Sequence, residues 1–160
     1  MDYSVFDEIR HGKWERKEGE PEQAYMERVL TAAFAPGEEK NSILEMLEAE
    51  FAGCDAANQT LDAEFPVRDW ELNPSGTLQG GLLTSMMDMV MGVMARYYRK
   101  SRMTATVQIS VSFMKTVPSG ARVRIRAKAD KIGSRLIFLR TESYVAGSAE
   151  AAAGATATFV

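Results

Sequence analysis

The chain has 160 residues, 46% hydrophobic and 26% charged, with one cysteine and a formal net charge of −3. That length suits one domain with a sizeable core, and the composition excludes a disordered or disulfide-framed chain. The opening MDYSVFDEIRHGKWERKEGE has no apolar signal-peptide core, and the most apolar stretch, Leu82 to Ala95, is too short and interrupted to cross a bilayer. A cytoplasmic protein with no membrane partner is therefore expected.

Charge is unevenly spread. Residues 1–50 hold 13 acids and 6 bases, whereas residues 96–135 hold 11 bases against Asp130 alone. The basic block reads either as a solvated strand face with helix-end bases or as a cradle for phosphate. It has no interleaved aromatic residues to stack bases, and the whole chain is acidic, so nucleic acid is not expected as a partner.

Residues 1–20 read as a polar arm. Pro21 suits the first position of a helix, and Ala24, Tyr25, Val29, Leu30, Ala33 and Phe34 recur at helical spacing until Pro36-Gly37 ends the run. Ser42-Ile-Leu-Glu45 has the form of a capping box and predicts a short second helix through about Glu50. Residues 59–67 predict the first strand. A long helix then starts at Gln79, apolar nearly all round, as a helix wrapped by a sheet should be. Thr104 to Met114 is the clearest strand, with Val107, Ile109, Val111 and Phe113 predicted on one face and Thr106, Gln108, Ser110 and Ser112 on the other. Three more strands follow. Val123, Ile125, Ala127 and Ala129 alternate with Arg122, Arg124, Arg126 and Lys128 on the first; the others are Leu136–Val145 and Glu150–Val160. The short turns between the last four strands predict antiparallel neighbours in a sheet that covers the helix.

The long helix carries one carboxylate, Asp88, amid apolar residues, and burying a lone charge is costly without a partner or a task. Gly81, Ser85, Asp88 and Gly92 share one stripe. Such a stripe is either a groove for a ligand or a close helix contact in which Asp88 bonds to a neighbour. Gln79 lies nine residues before Asp88, so ~100° per residue sets the two on opposite sides of the helix. They could serve one substrate if two chains paired. Gly80 and Gly81 bring bare N–H groups to the helix start, where a phosphate or a forming oxyanion is favoured. The only histidine, His11, lies in the charged arm. A Ser-His-Asp or Cys-His centre and a His/Cys metal site are therefore not expected. Chemistry must rest on carboxylate, amide, hydroxyl and backbone groups.

Asn73-x-x-Gly76-x-x-Gln79-Gly80-Gly81, followed by Asp88, resembles the N-x-x-G-x-x-H-G-G…D signature of hotdog-fold acyl-CoA thioesterases. The similarity is to the PaaI type, within the 4-hydroxybenzoyl-CoA thioesterase superfamily. The resemblance implies an α+β hotdog fold, an antiparallel sheet wrapped around a long central helix, over residues 51–160, with an N-terminal arm and extra helices over residues 1–50. It implies an acyl-CoA thioesterase that releases free acid and CoA, with no cofactor beyond the CoA of the substrate and no metal. Asp88 takes the place of the family's acid, as general base or nucleophile, and the Gly80 N–H that of the oxyanion donor. Asn73 places water or substrate, and Thr106 assists the acid. Gly81 and Ser85 line the substrate site, and Lys131 and Arg135 are the bases suited to CoA phosphates. The family arrangement is a homodimer or a dimer of dimers, with the active site at the subunit interface. The departure is Gln79, where this type has histidine. Glutamine donates and accepts hydrogen bonds but takes no proton at neutral pH. The rival expectation is a non-catalytic acyl-CoA or lipid-binding hotdog module in which Asp88 is a structural acceptor. Methionines 86, 87, 89, 91 and 94 supply either plain core or adaptable acyl walls, so the acyl group stays open.

Overall fold

The computed structural model describes residues 15–35, 43–100 and 104–160. In chain order it contains α1 (Glu22–Phe34), α2 (Ile43–Met46), β1 (Glu50–Asp55), β2 (Thr60–Pro66), a 3₁₀ turn (Asp69–Glu71), α3 (Gly80–Arg99), β3 (Thr106–Phe113), β4 (Arg122–Ile132), β5 (Ile137–Val145) and β6 (Ala151–Phe159). The six strands form one sheet in the order β1-β2-β4-β5-β6-β3, antiparallel at every pairing. The expected α+β architecture is present: the sheet wraps the 20-residue α3.

The core follows from the two periodicities. Leu83, Met86, Met87, Val90, Met91, Met94 and Tyr97 of α3 are buried against the inward residues of the sheet, among them Leu61, Ala63, Phe65, Val123, Ile125, Ala127, Leu139 and Ala157. Burial of each valine, leucine, isoleucine, phenylalanine or methionine among them contributes ~1.5–3 kcal/mol. The small residues of β6 let the sheet approach the methionines closely. α1 lies over β1 and α3. It buries Tyr25, Met26, Val29, Leu30 and Phe34, and Tyr97 Oη donates a 2.6 Å hydrogen bond to Glu22.

Several elements differ from expectation. Pro21 occupies the N-cap of α1 rather than its first turn, with its carbonyl accepting from Tyr25 N–H. α2 ends at Met46, because Glu48 turns to φ 50°, and Glu50 already belongs to β1. β1 was not legible: it is a half-exposed edge strand with a bulge between Phe51 and Gly53, so its pattern does not alternate. Pro36, Gly37 and Ser42 lie outside the described residues. β3 and β4, consecutive in sequence, are not neighbours. The connection leaves the sheet, buries Val117, and accepts the Leu78 N–H on the Val117 carbonyl at 2.9 Å. β3 instead pairs with β6 and forms the far edge of the sheet.

The outward face of β4 is basic as predicted, but its bases face acids. Arg126 grips Asp62 through two 2.7 Å hydrogen bonds, Arg122 reaches Glu50 and Glu64, and Arg124 lies 3.5 Å from Glu64. An open groove of about 280 Å³ on this face, lined by Arg124, Arg126, Glu64, Tyr144 and the β5–β6 turn, faces away from α3.

Candidate active site

The segment before α3 is built as a tight turn. Asn73 Oδ1 accepts from Ser75 N–H at 2.9 Å and from Thr77 N–H at 3.3 Å, and Asn73 Nδ2 donates to Thr77 Oγ1 at 3.0 Å. One Nδ2 hydrogen of Asn73 takes no part in these bonds. Gly76 adopts φ 75°, which favours glycine. The turn delivers Gln79 to the N-cap of α3, where its Oε1 accepts from Leu82 N–H at 2.9 Å. The predicted start of the long helix is therefore met within one residue. Gly81 exists for the same contact: a Cβ there would stand 2.8 Å from Gln79 Oε1. The N–H groups of Gly80 and Gly81 take no hydrogen-bond partner among the described residues.

Asp88 lies two turns further along, half-buried, on the stripe with Gly81, Ser85 and Gly92 that the sheet leaves partly open. Thr106 Oγ1 donates a 2.8 Å hydrogen bond to Asp88 Oδ1. Simple alternation sets Thr106 on the face opposite Ile109, Val111 and Phe113. A bulge overturns that: β3 advances from Thr106 to Gln108 while β6 moves one residue, from Phe159 to Thr158. Val107 is thrown outward, 59% exposed, and Thr106 joins the helix side with Ile109 and Val111. Ser85 Oγ bonds back to the Gly81 carbonyl at 3.0 Å.

The structure thus joins Asp88 to Thr106, and Gln79 to Gly80 and Gly81, as two separate clusters. About 12 Å of helix separates Gly80 from Asp88. Lys131 and Arg135 belong to neither. Both are exposed at the β4–β5 hairpin, which Arg99 of α3 ties down through the carbonyls of Ser134 and Arg135. That hairpin lies at the Thr106 end of the sheet, since Ile132, Ile137, Phe159 and Thr106 form one cross-strand row.

Two further residues belong to the neighbourhood. Phe113, at the other end of β3, sets its ring against Gly80. Glu71 is fully buried: its Oε2 accepts from Arg68 N–H at 2.8 Å, its carbonyl accepts from Gln79 N–H at 2.9 Å, and its Oε1 has no partner among the described residues. Burial holds this carboxyl above the ordinary glutamate pKa, against the opposing pull of the Arg68 backbone and charge. Nothing in the sequence marks Glu71, a charged residue in a turn between Trp70 and Leu72. Among the described residues no group of three or more His, Cys, Asp or Glu could hold a metal ion, and no helix is long and apolar enough to cross a membrane.

An antiparallel sheet wrapped on one long central helix defines a hotdog-fold protein. The family model described as thioesterase superfamily matches residues 75–152, which include Gly76, Gln79, Gly80, Gly81, Asp88 and Thr106. Among solved structures, a phenylacetic acid degradation-related protein of Ralstonia eutropha JMP134 is similar, at 24% identity and a TM-score of 0.71, over 81% of this chain and 97% of that one. The PaaI protein from the phenylacetic acid degradation operon of E. coli is similar at 14% identity and a TM-score of 0.65, over 72% of this chain and 80% of that one. A Streptococcus mutans protein bound to acetyl CoA has a TM-score of 0.58 at 19% identity, over 64% of this chain and 80% of that one. No curated protein matches the sequence. The hotdog architecture is therefore shared with these proteins, and the thioesterase superfamily model covers the stretch that carries α3 and β3.

Proposed function

We propose that this protein hydrolyses an acyl-CoA thioester to free acid and CoA, at a site shared between two copies of the chain. The observation that carries the reading is the Thr106–Asp88 hydrogen bond at one end of a strand whose other end touches Gly80. The edge of β3 away from β6 has no partner among the described residues. Two copies pairing these edges antiparallel about a two-fold axis set Thr106 of one against Phe113 of the other. Asp88 of one copy then approaches the Gly80 N–H of the other. The match to the thioesterase superfamily supports the same reading.

In this mechanism the Gly80 N–H holds the thioester oxygen and stabilises the charge that develops there. Asp88, oriented by Thr106, activates water as general base or attacks the carbonyl itself. Gln79 caps the helix and keeps the Gly80 amide in place. Asn73, with its remaining N–H, orients water or substrate. Gly81 and Ser85 line the approach, and the exposed Lys131 and Arg135 lie at the Thr106 end, where they face the CoA phosphates. The chemistry needs no metal or added cofactor.

The test is release of CoA thiol from aryl and aliphatic acyl-CoAs by wild type and Asp88→Asn. A loss of ~10²-fold or more is expected, and equal rates would sink the role of Asp88. One observation favours a second reading, an acyl-CoA-binding module without turnover: the Gln79 amide oxygen is already engaged by Leu82 N–H. Binding of acyl-CoA with no thiol release by wild type would select it.

A further inference from the structure

We infer that Phe113 sets the size of the acyl group that this site accepts. The inference rests on the thioesterase reading, in which the Gly80 N–H meets the thioester oxygen. A Cβ built on Gly80 would stand 3.2 Å from Phe113 Cζ and 3.4 and 3.5 Å from its two Cε atoms, and no other atom is nearer. The ring therefore points its para edge at the backbone that carries the oxyanion donor. A carbonyl oxygen held by that N–H at about 2.9 Å brings its acyl carbons within a few ångström of the same ring.

The backbone that carries the ring is held in place. Its strand is paired to β6 through Phe113 and Ala153, and the next two N–H groups, of Met114 and Lys115, both donate to the Ala152 carbonyl at 2.8 and 3.0 Å. In the single chain 54% of Phe113 is exposed, so its ring is available beside Gly80 to the site that forms when two copies pair. Of the neighbouring apolar residues on or just after this strand, Val107 is turned outward by the bulge, and Met114 lies toward Gly154. Trimming the ring opens space at the reacting carbonyl, and the specificity of an apolar pocket shifts by roughly 10-fold or more per group removed.

The experiment compares wild type, Phe113→Leu and Phe113→Ala on acetyl-CoA and on a bulky branched or aryl acyl-CoA. The ratio of kcat/KM, bulky over small, should rise about 10-fold or more for Phe113→Ala and by less for Phe113→Leu. An unchanged ratio overturns the inference. Calorimetric binding of two non-hydrolysable thioethers, S-ethyl-CoA and a bulky S-alkyl-CoA, reads the same wall without turnover. A parallel shift in the ratio of Kd values is expected, and equal ratios overturn the inference. A wild type that binds these thioethers but releases no thiol from any acyl-CoA sinks the thioesterase reading alone, since the binding ratio still tests Phe113.

Discussion

Thr106 and Asp88, 18 residues apart, are joined by a 2.8 Å hydrogen bond that exists because β3 is bulged at Val107. The bond holds one carboxylate oxygen, and in the proposed mechanism Oδ2 is the one that meets water or substrate. Thr106→Val, which keeps the shape and removes the donor, should lower kcat about 10-fold with little change in KM, and Thr106→Ser should restore most of the rate. Steady-state kinetics on the best acyl-CoA decides it. A Thr106→Val enzyme with wild-type kcat would mean that the bond is only structural.

A shared site makes a complementation result compulsory. Asp88→Asn and Gly80→Val each disable one half-site, so each homodimer should be inactive. Mixed at equal amounts, half of the dimers are heterodimers with one intact site of two, and about a quarter of wild-type activity should return. Activity that stays at background after unfolding and refolding the mixture together would show that each chain acts alone.

The Gln79 cap and Gly81 are coupled. Gln79→Ala removes the cap and should cost about 1 kcal/mol, whereas Gly81→Ala displaces the Gln79 side chain and should be near neutral, the loss of the cap offsetting about 1 kcal/mol of alanine's helix preference. In the Gln79→Ala background, with no cap left to lose, Gly81→Ala should stabilise by about 1 kcal/mol. Thermal melts of the four proteins measure the cycle.

Glu71 and Glu20 bend stability with pH in opposite senses. Burial raises the folded-state pKa of Glu71, so the folded protein holds that proton more tightly than the unfolded chain. Its protonated form is fully accommodated below the ordinary value of 4.5, and stability falls as pH rises from there through the raised pKa. Glu20 is lowered to about 2, first by its hydrogen bond to Arg28, so its contribution is present above 4.5 and is lost as pH falls through about 2. Denaturant midpoints from pH 4 upward should decline less in Glu71→Gln than in wild type; parallel profiles would remove Glu71 from the account.

α1 is latched to α3 through Tyr97 and Glu22, a 2.6 Å bond beneath the tilted ring pair of Tyr25 and Tyr97. Tyr97→Phe keeps the ring and should cost about 1–2 kcal/mol in chemical denaturation. No loss of midpoint would mean that the ring packing alone holds the helix.

What the sequence disclosed follows from what each pattern encodes. The start of α3 at Gln79 was legible because a polar, glycine-rich turn ran into an apolar helix. The basic stripe of β4 was legible because alternation there is regular, although its acidic partners Glu50, Asp62 and Glu64 lie on strands far away in sequence and could not be read. The side of β3 to which Thr106 turns was illegible, since a bulge inserts one residue without changing composition. The same limit hid β1, also bulged, and the departure of β3 from β4, which depends on where Val117 buries. Glu71, and the place of Phe113 beside Gly80, escaped notice because a turn acid and a strand-end aromatic look ordinary until the chain closes round them.

The partnering of β3 with β6 also governs how the chain reaches this state. Residues 106–113 find their mates at 153–159, so the strand that carries Thr106 and Phe113 has no hydrogen-bonded neighbour until the last strand is made. During synthesis, at ~5–20 residues per second, β3 waits some seconds with both edges bare, and such edges invite pairing with the wrong chain. The polar residues Gln108, Ser110 and Ser112, spaced along its outward face, make that waiting strand a poorer template for aggregation than its apolar side alone would be.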